Sequence, residues 1–265
     1  MDHARPIGPW LPRLSQGAVR VITPDELERW IVYRDERLLV VDKPGDFVCH
    51  PSKAGPWSSL VGAARAYLGL PAVHLIFRLD RETSGLVVFA LDPHTGSRLQ
   101  VAAQERRYTK SYLAILHREM DAPTRVDEPL GDDHESPVRV KTRVVPRGQG
   151  QSAVTTFVPL SSAGGFTLAR VSTESGRKHQ IRAHAQWLGR PLVGDKIYGP
   201  DPRLFLQFVD TGWTPSLAEQ LLLPRQALHC AEIDLREAGL DAVFQAPLPP
   251  DLARFCEEKG LRIPG

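Results

Sequence analysis

The chain has 265 residues, 42% of them hydrophobic and 24% charged, the make-up of an ordinary globular protein with apolar area for a sizeable core. No run of about 18 apolar residues is present and MDHARPIGPWLPRLSQG lacks an apolar stretch, so neither a transmembrane helix nor a secretory signal is expected. A net charge of +2 announces no partner, and Cys49, Cys230 and Cys256, odd in number and far apart, argue against a disulfide framework or zinc ribbon and for a reducing cytosol.

Residues 1–34 are rich in Pro and Gly and read as an extension wrapping the domain, with a short helix from the Thr23-Pro24 start signal through Trp30. LLVVDKPGDFVCHP (38–51) is a short buried strand ended by Pro44-Gly45, and SSLVGAARAYLG (58–69) is a helix capped by Ser58 or Ser59 and closed by Gly69. GLVVFAL (85–91) is a strand, 94–105 looks helical, and YTKSYLAIL (108–116) alternates as a strand does. Strand-like runs follow at 138–145, 153–160 and 166–173, then a helix over 178–189 stopped by Gly189. Residues 203–225 have no clear pattern and read as an insertion or lid; 226–235 and 242–247 form a final antiparallel pair, and 249–260 a closing helix. Strands outnumber helices and short turns join them, which favours an α+β fold on a mixed, mostly antiparallel sheet flanked by helices and loops.

Three short stretches carry chemistry. In FRLDRETSG (77–85), Asp80 lies between Arg78 and Arg81 just before a strand. A guanidinium close to a carboxylate lowers its pKa and keeps it ionised, which suits a nucleophile; a structural ion pair at a turn fits the same residues, and both readings stay open. On the helix over 178–189, His179, Arg182 and Gln186 share a face, while His179 and His184 are five apart and have no acidic partner, so zinc is not expected. A strand tyrosine such as Tyr112 is usually core packing with its hydroxyl at the rim; the alternative is a platform for a flat ligand, with a hydroxyl able to handle a proton. Basic residues group at 98–118, 139–147 and 177–190, whereas Asp127, Glu128, Asp132, Asp133 and Glu135 concentrate apart, which allows a basic face for phosphates as readily as scattered solvated cations.

Taken in order, VVDKPGDFVCHP, FRLDRETSG, KSYLAIL, GRKHQIRAH and LGRPLVGDKIYG, with ALHC at 227–230, resemble the motifs of the RluA-type pseudouridine synthases, which isomerise uridine to pseudouridine in structured RNA. The resemblance runs from residue 40 to about 230 and implies that family's core over 35–265. It implies that Asp80 is the catalytic aspartate, that Tyr112 stacks on the target base and that Arg182 pairs with the aspartate. It further implies substrate-binding positions at Arg78, Leu228, Ile181, His179, Gln180 and Lys43, and the basic stretch at 98–118 adds Arg106 and Arg107 as expected RNA contacts.

The reaction breaks the C1′–N1 bond, turns the uracil and joins C1′ to C5, so no cofactor, redox step or metal is required. The implied partner is ribosomal or transfer RNA, met by a cytoplasmic protein with no membrane and no obligate protein partner, expected as a monomer. Phe77 departs from the family's His before Arg-Leu-Asp, so altered packing or RNA contact is expected there. The 34 residues ahead of the core are too few for the S4 RNA-binding domain of some relatives, so the single-domain branch is the one resembled. A catalytically inactive RNA binder or chaperone on the same scaffold is the competing reading, and a hydrolase of free nucleosides or sugars a further one.

Overall fold

Thr23 opens helix α1 (Pro24–Trp30) as its Thr-Pro signal predicts. Its hydroxyl accepts from the Glu26 N–H at 3.2 Å while the Glu26 carboxylate accepts from the Thr23 N–H at 3.0 Å, a reciprocal capping box. This computed structural model describes residues 20–50 and 55–263, which fall into two compact units, one of 20–111 with 229–247, the other of 112–228 with 248–263.

In the first unit α1 leads into β1 (Ile31–Arg34), an exposed edge strand without the alternation that would have announced it, paired antiparallel with β2 (Leu38–Lys43). The described part of the expected wrapping extension is therefore a helix and an edge strand; residues 1–19 of it lie outside the described residues. Helix α2 (Leu60–Leu68) is capped by the Ser59 hydroxyl and ends at Gly69, whose φ of 65° suits glycine. After the two-residue β3 (His74–Leu75) comes β4 (Ser84–Ala90), buried throughout and paired antiparallel with all of β2, from Leu38 opposite Ala90 to Lys43 opposite Gly85. Helix α3 (Pro93–Gln104), capped by Asp92, follows it. Leu39, Val40, Val41, Leu86, Val87 and Phe89 are all buried and make the middle of this unit's core.

The chain enters the second unit within β5 (Thr109–His117). Next come β6 (Thr124–Asp127), β7 (Leu130–Asp132), β8 (Thr142–Val144), β9 (Val154–Ala163) and β10 (Phe166–Thr173). Here β10 lies between β5 and β9, β9 pairs antiparallel with β10 and β6, and β7–β8 form a separate hairpin. β6 and β7 are too short, and too interrupted by Pro123, Pro129 and acidic residues, to show a strand period. The run over 138–145 yields only β8, because Val138 is drawn into a local apolar cluster with Leu130, Ala153, Ile197 and Tyr198.

Helix α4 (Gln180–Trp187) starts later than predicted, since His179 takes a left-handed φ of 55° as its N-cap. Residues 203–225 are no irregular stretch: α5 (Arg203–Thr211) and α6 (Pro215–Leu221) pack Leu204, Leu217 and Leu221 with Phe208 and Trp213. β11 (Leu228–Asp234) returns the chain to the first unit, lying parallel to β4 and antiparallel to β12 (Val243–Gln245). Helix α7 (Pro250–Glu258) closes the second unit, its Leu252 and Phe255 packed with Ile115, Leu168 and Val193. The fold is α+β on mixed, mostly antiparallel sheet, as the strand and turn pattern leads one to expect.

Candidate active site

Asp80 lies in the turn from β3 to β4, half-buried, and the Thr83 N–H donates to its carbonyl at 3.1 Å. Buried groups fix this turn from below. Lys43, at the end of β2, is fully buried and its ammonium donates to the carbonyls of Pro44 at 2.8 Å and Arg81 at 3.0 Å. An ammonium out of water has to recover its lost hydration in such bonds, so its position is strictly determined. The Cys49 thiol donates to the Leu79 carbonyl at 3.5 Å. Burial pushes that thiol's pKa up, more than Lys43 pulls it down, so it stays protonated and keeps its donor.

Where the turn enters β4, Ser84 Oγ lies 3.0 Å from Nδ1 of the buried His229, whose Nε2 faces the Ala246 carbonyl at 3.3 Å. A carbonyl can only accept, so Nε2 carries the proton and Nδ1 accepts from the serine. Gly85, at φ 111°, has to be glycine, since a Cβ there would run into the Cys230 backbone on β11.

Arg78 and Arg81 are both exposed. A half-buried turn aims adjacent long side chains outward into water, where a hydrated guanidinium gains little from pairing.

The second unit holds Tyr112, His179, Gln180, Ile181, Arg182 and Leu228. Tyr112 on β5, Ile181 on α4 and Leu228 at the head of β11 are all buried. Arg182 is buried too, and it grips Asp195 in a two-pronged pair, Nε to Oδ2 at 2.7 Å and Nη2 to Oδ1 at 2.9 Å. Asp195 also accepts from the N–H groups of Ile197 and Tyr198, both at 3.0 Å. Burial pushes its pKa up, but the charge and hydrogen bonds of Arg182 and those two amides outweigh it, leaving the carboxyl below its ordinary value. The Tyr198 ring lies 5.0 Å from the Arg182 guanidinium, and its hydroxyl accepts from the Thr142 N–H at 2.9 Å and lies 3.0 Å from His179 Nδ1. Burial pushes the Tyr198 hydroxyl up to about 12, so it remains a neutral phenol.

His179 thus serves as cap and as partner of Tyr198. The Gln180 amide accepts from Ser175 Oγ at 2.8 Å and the Arg177 N–H at 3.1 Å, and donates to the Val154 carbonyl at 2.8 Å and Thr155 Oγ1 at 3.1 Å. That uses the amide's full capacity inside the protein and leaves none for a substrate. Lys43 is likewise turned inward. His184 is a satisfied core histidine, between Thr155 Oγ1 at 2.8 Å and the Glu128 carbonyl at 3.0 Å.

Asp195 and Tyr198 escaped the sequence reading although both stand in the quoted GDKIYG. An acid thirteen positions from Arg182, beyond a helix end, gives no local sign of its partner, whereas the turn aspartate draws attention through its arginines.

The basic groups are arranged differently from the expected segregation. The β7–β8 hairpin brings the acids of 128–135 onto the cations of 141–147: Lys141 and Arg143 meet Asp133 at 3.3 and 4.0 Å, Arg143 meets Glu135 at 3.0 Å, and Arg147 meets Glu128 at 3.5 Å. Lys178 pairs with Asp132 at 3.0 Å. Runs apart in sequence become neighbours across strands, and their charges largely cancel. Arg106 is exposed at a left-handed φ of 58° after α3 and has no ion pair among the described residues, while Arg107 beside it contacts Glu105 at 2.6 Å and the Glu237 carbonyl at 3.3 Å.

The sequence profile of the family described as RNA pseudouridylate synthase matches residues 37–187, spanning Lys43, Asp80, Tyr112 and Arg182. The ribosomal large subunit pseudouridine synthase D of Vibrio parahaemolyticus is 33% identical over 88% of this chain and 74% of its own length. That of Escherichia coli strain K12 is 32% identical over 88% of this chain and 71% of its own. Among solved structures, human RNA pseudouridylate synthase domain containing 4 superposes with a TM-score of 0.69 at 25% identity, covering 91% of this chain and 97% of the human one.

Proposed function

The chain belongs to the RNA pseudouridylate synthase family, and from that premise we propose that it converts particular uridines of structured RNA to pseudouridine with Asp80 as the group that acts on the ribose. The names of the bacterial relatives favour ribosomal RNA of the large subunit as substrate and the cytosol as the place of action. In this reading both units serve one catalytic domain, and the family match, which runs through both, supports it.

The observation that carries the assignment is the Asp80 turn. Lys43, Cys49 and the Ser84–His229 pair hold it from the buried side, while Arg78 and Arg81 stand exposed next to the carboxylate. A turn so fixed presents one carboxylate in one place, and exposed guanidiniums beside it suit the phosphates of an RNA strand.

The isomerisation breaks C1′–N1 and forms C1′–C5; the proton on C5 leaves and N1 gains one, so nothing is added or removed overall. Bond breaking makes the sugar oxocarbenium-like, and an ionised carboxylate stabilises or traps that charge. Whether Asp80 bonds to C1′ or takes the C2′ proton, it has to be anionic. Arg182 supports that state in this reading: Asp195 and Tyr198 fix its guanidinium before RNA arrives, so its positive charge needs no rearrangement during the reaction. The target base has to leave its stack, at about a few kcal/mol, and stacking on Tyr112 returns about 1–3 kcal/mol of that.

Because C5 loses its hydrogen, RNA carrying tritium at uracil C5 reports turnover directly. Wild type is expected to release tritium without any added cofactor, and Asp80→Asn and Asp80→Ala to release none while RNA affinity stays within about threefold. Release by either purified variant would overturn the assignment.

A further inference from the structure

We propose that Phe77 and Lys110 are a positioning pair for the Asp80 turn: the Phe77 ring holds the Lys110 ammonium on its face and so ties the arm leading into Asp80 to the first residues of β5. The inference rests on the reading of Asp80 as the acting carboxylate.

The turn has two arms of unequal support. The outgoing arm, Arg81–Ser84, is pinned by the Lys43 ammonium at the Arg81 carbonyl and by His229 at Ser84. Leu79 is buried over Cys49. The incoming arm leaves β3 at the buried Ile76, whose N–H donates to the Val88 carbonyl at 3.1 Å, and continues through Phe77 and the exposed Arg78; at Phe77 the side chain that meets β5 is an aromatic ring.

Lys110 Nζ lies 4.6 Å from the centroid of that ring and 5.8 Å from that of Tyr108, and the two rings are 5.9 Å apart and tilted by 31°. Both distances fall inside the range in which an ammonium is attracted to an aromatic face, and partial burial strengthens the attraction by removing competing water. Burial lowers the Lys110 pKa, opposed by Cys230 on β11, so a partner that favours the charged form matters here.

A neutral ring supplies such a partner without titrating. Imidazole at position 77, the residue of the resembled family, would repel the ammonium whenever it was protonated; Phe keeps the attraction across the pH range. The strand that carries Lys110 continues two positions on to Tyr112. The contact therefore ties the acid's turn to the first residues of β5, and a small displacement of a reacting group is enough to slow chemistry severely.

The test uses the full chain with Phe77→Leu, Phe77→Tyr, Lys110→Met and the double variant Phe77→Leu/Lys110→Met. It reads single-turnover rates at saturating RNA, RNA Kd, and amide hydrogen exchange over 79–83. Phe77→Leu and Lys110→Met should each lower the rate about tenfold with Kd within twofold of wild type, the double variant no further, and Phe77→Tyr should recover the rate. Exchange over 79–83 should quicken in the same slow variants.

Wild-type rate and exchange in Phe77→Leu would overturn the proposal. So would a loss carried by Kd, which would make Phe77 an RNA contact, or independent effects that add in the double variant. Activity surviving in Asp80→Ala would sink the reading beneath it instead, and the exchange data would still judge the pair on its own.

Discussion

Tyr112 separates the two services an aromatic residue can give this reaction. In the proposed reading its ring stacks on the target base, while its hydroxyl is placed to move the proton that C5 loses or N1 gains. Tyr112→Phe keeps the ring, so RNA Kd is expected unchanged and the single-turnover rate lower by about a hundredfold, the low end of general acid–base effects. Equal rates would leave Tyr112 as a platform alone. Lys43 shows another case at this scale: its buried ammonium donates to the carbonyls of Pro44 and Arg81, because an ammonium out of water is held by the acceptors that surround it. The Asp80 turn draws attention in the sequence because its motif is local; the groups that seat it, Cys49 and His229, come from 31 residues before and 149 after, and only folding reveals them.

Helix α4 presents Arg182 and Ile181 and carries on the same turns a buried histidine that makes the unit acid-sensitive. Burial holds the His184 imidazole below its ordinary value of 6.5, against the opposing pull of its Glu128 carbonyl contact and of the Glu128 and Asp127 charges. The unfolded chain takes up this proton first as pH falls below about 6.5, so the His184 contribution is complete above that pH and is lost as pH drops through the depressed folded value. The wild-type unfolding free energy from urea titrations should fall from pH 7 to pH 5, by no more than about 1.4 kcal/mol per pH unit from one site. His184→Gln, which can keep both hydrogen bonds without titrating, should flatten the fall. It will not abolish it, since burial and Arg118 hold half-buried His117 down as well. A fall of undiminished slope in His184→Gln would place the acid sensitivity elsewhere.

Among the elements, those with their own punctuation were legible in the sequence: α1 through Thr23-Pro24, α2 through Ser59 and Gly69, the end of α4 at Gly189, and β10 through its β-branched run. The short β1, β6 and β7 were not, because pairing and not periodicity defines them, and α5 and α6 were hidden by apolar residues that serve a small cluster of their own.

For the whole molecule, charge in sequence was a poor guide to charge on the surface. The second basic group is neutralised by the acids of the β7–β8 hairpin, which leaves the outlet of α3 as a better candidate for phosphate contact. Arg106→Glu with Arg107→Glu should weaken RNA binding and make it less steeply dependent on salt, as two fewer phosphates are neutralised. An unchanged slope of log Kd against log salt would move the RNA path off this surface.

The central claim is that this chain makes pseudouridine at chosen uridines through Asp80. The measurement that meets it most directly gives the purified protein, with no added cofactor, ribosomal and transfer RNA transcribed without modifications. Pseudouridine is then mapped by carbodiimide-block primer extension, with Asp80→Ala alongside. The account predicts stops at a few discrete uridines with wild type and none with the variant. Tight, salt-sensitive RNA binding with no stops on either RNA, or stops that persist in Asp80→Ala, would contradict it.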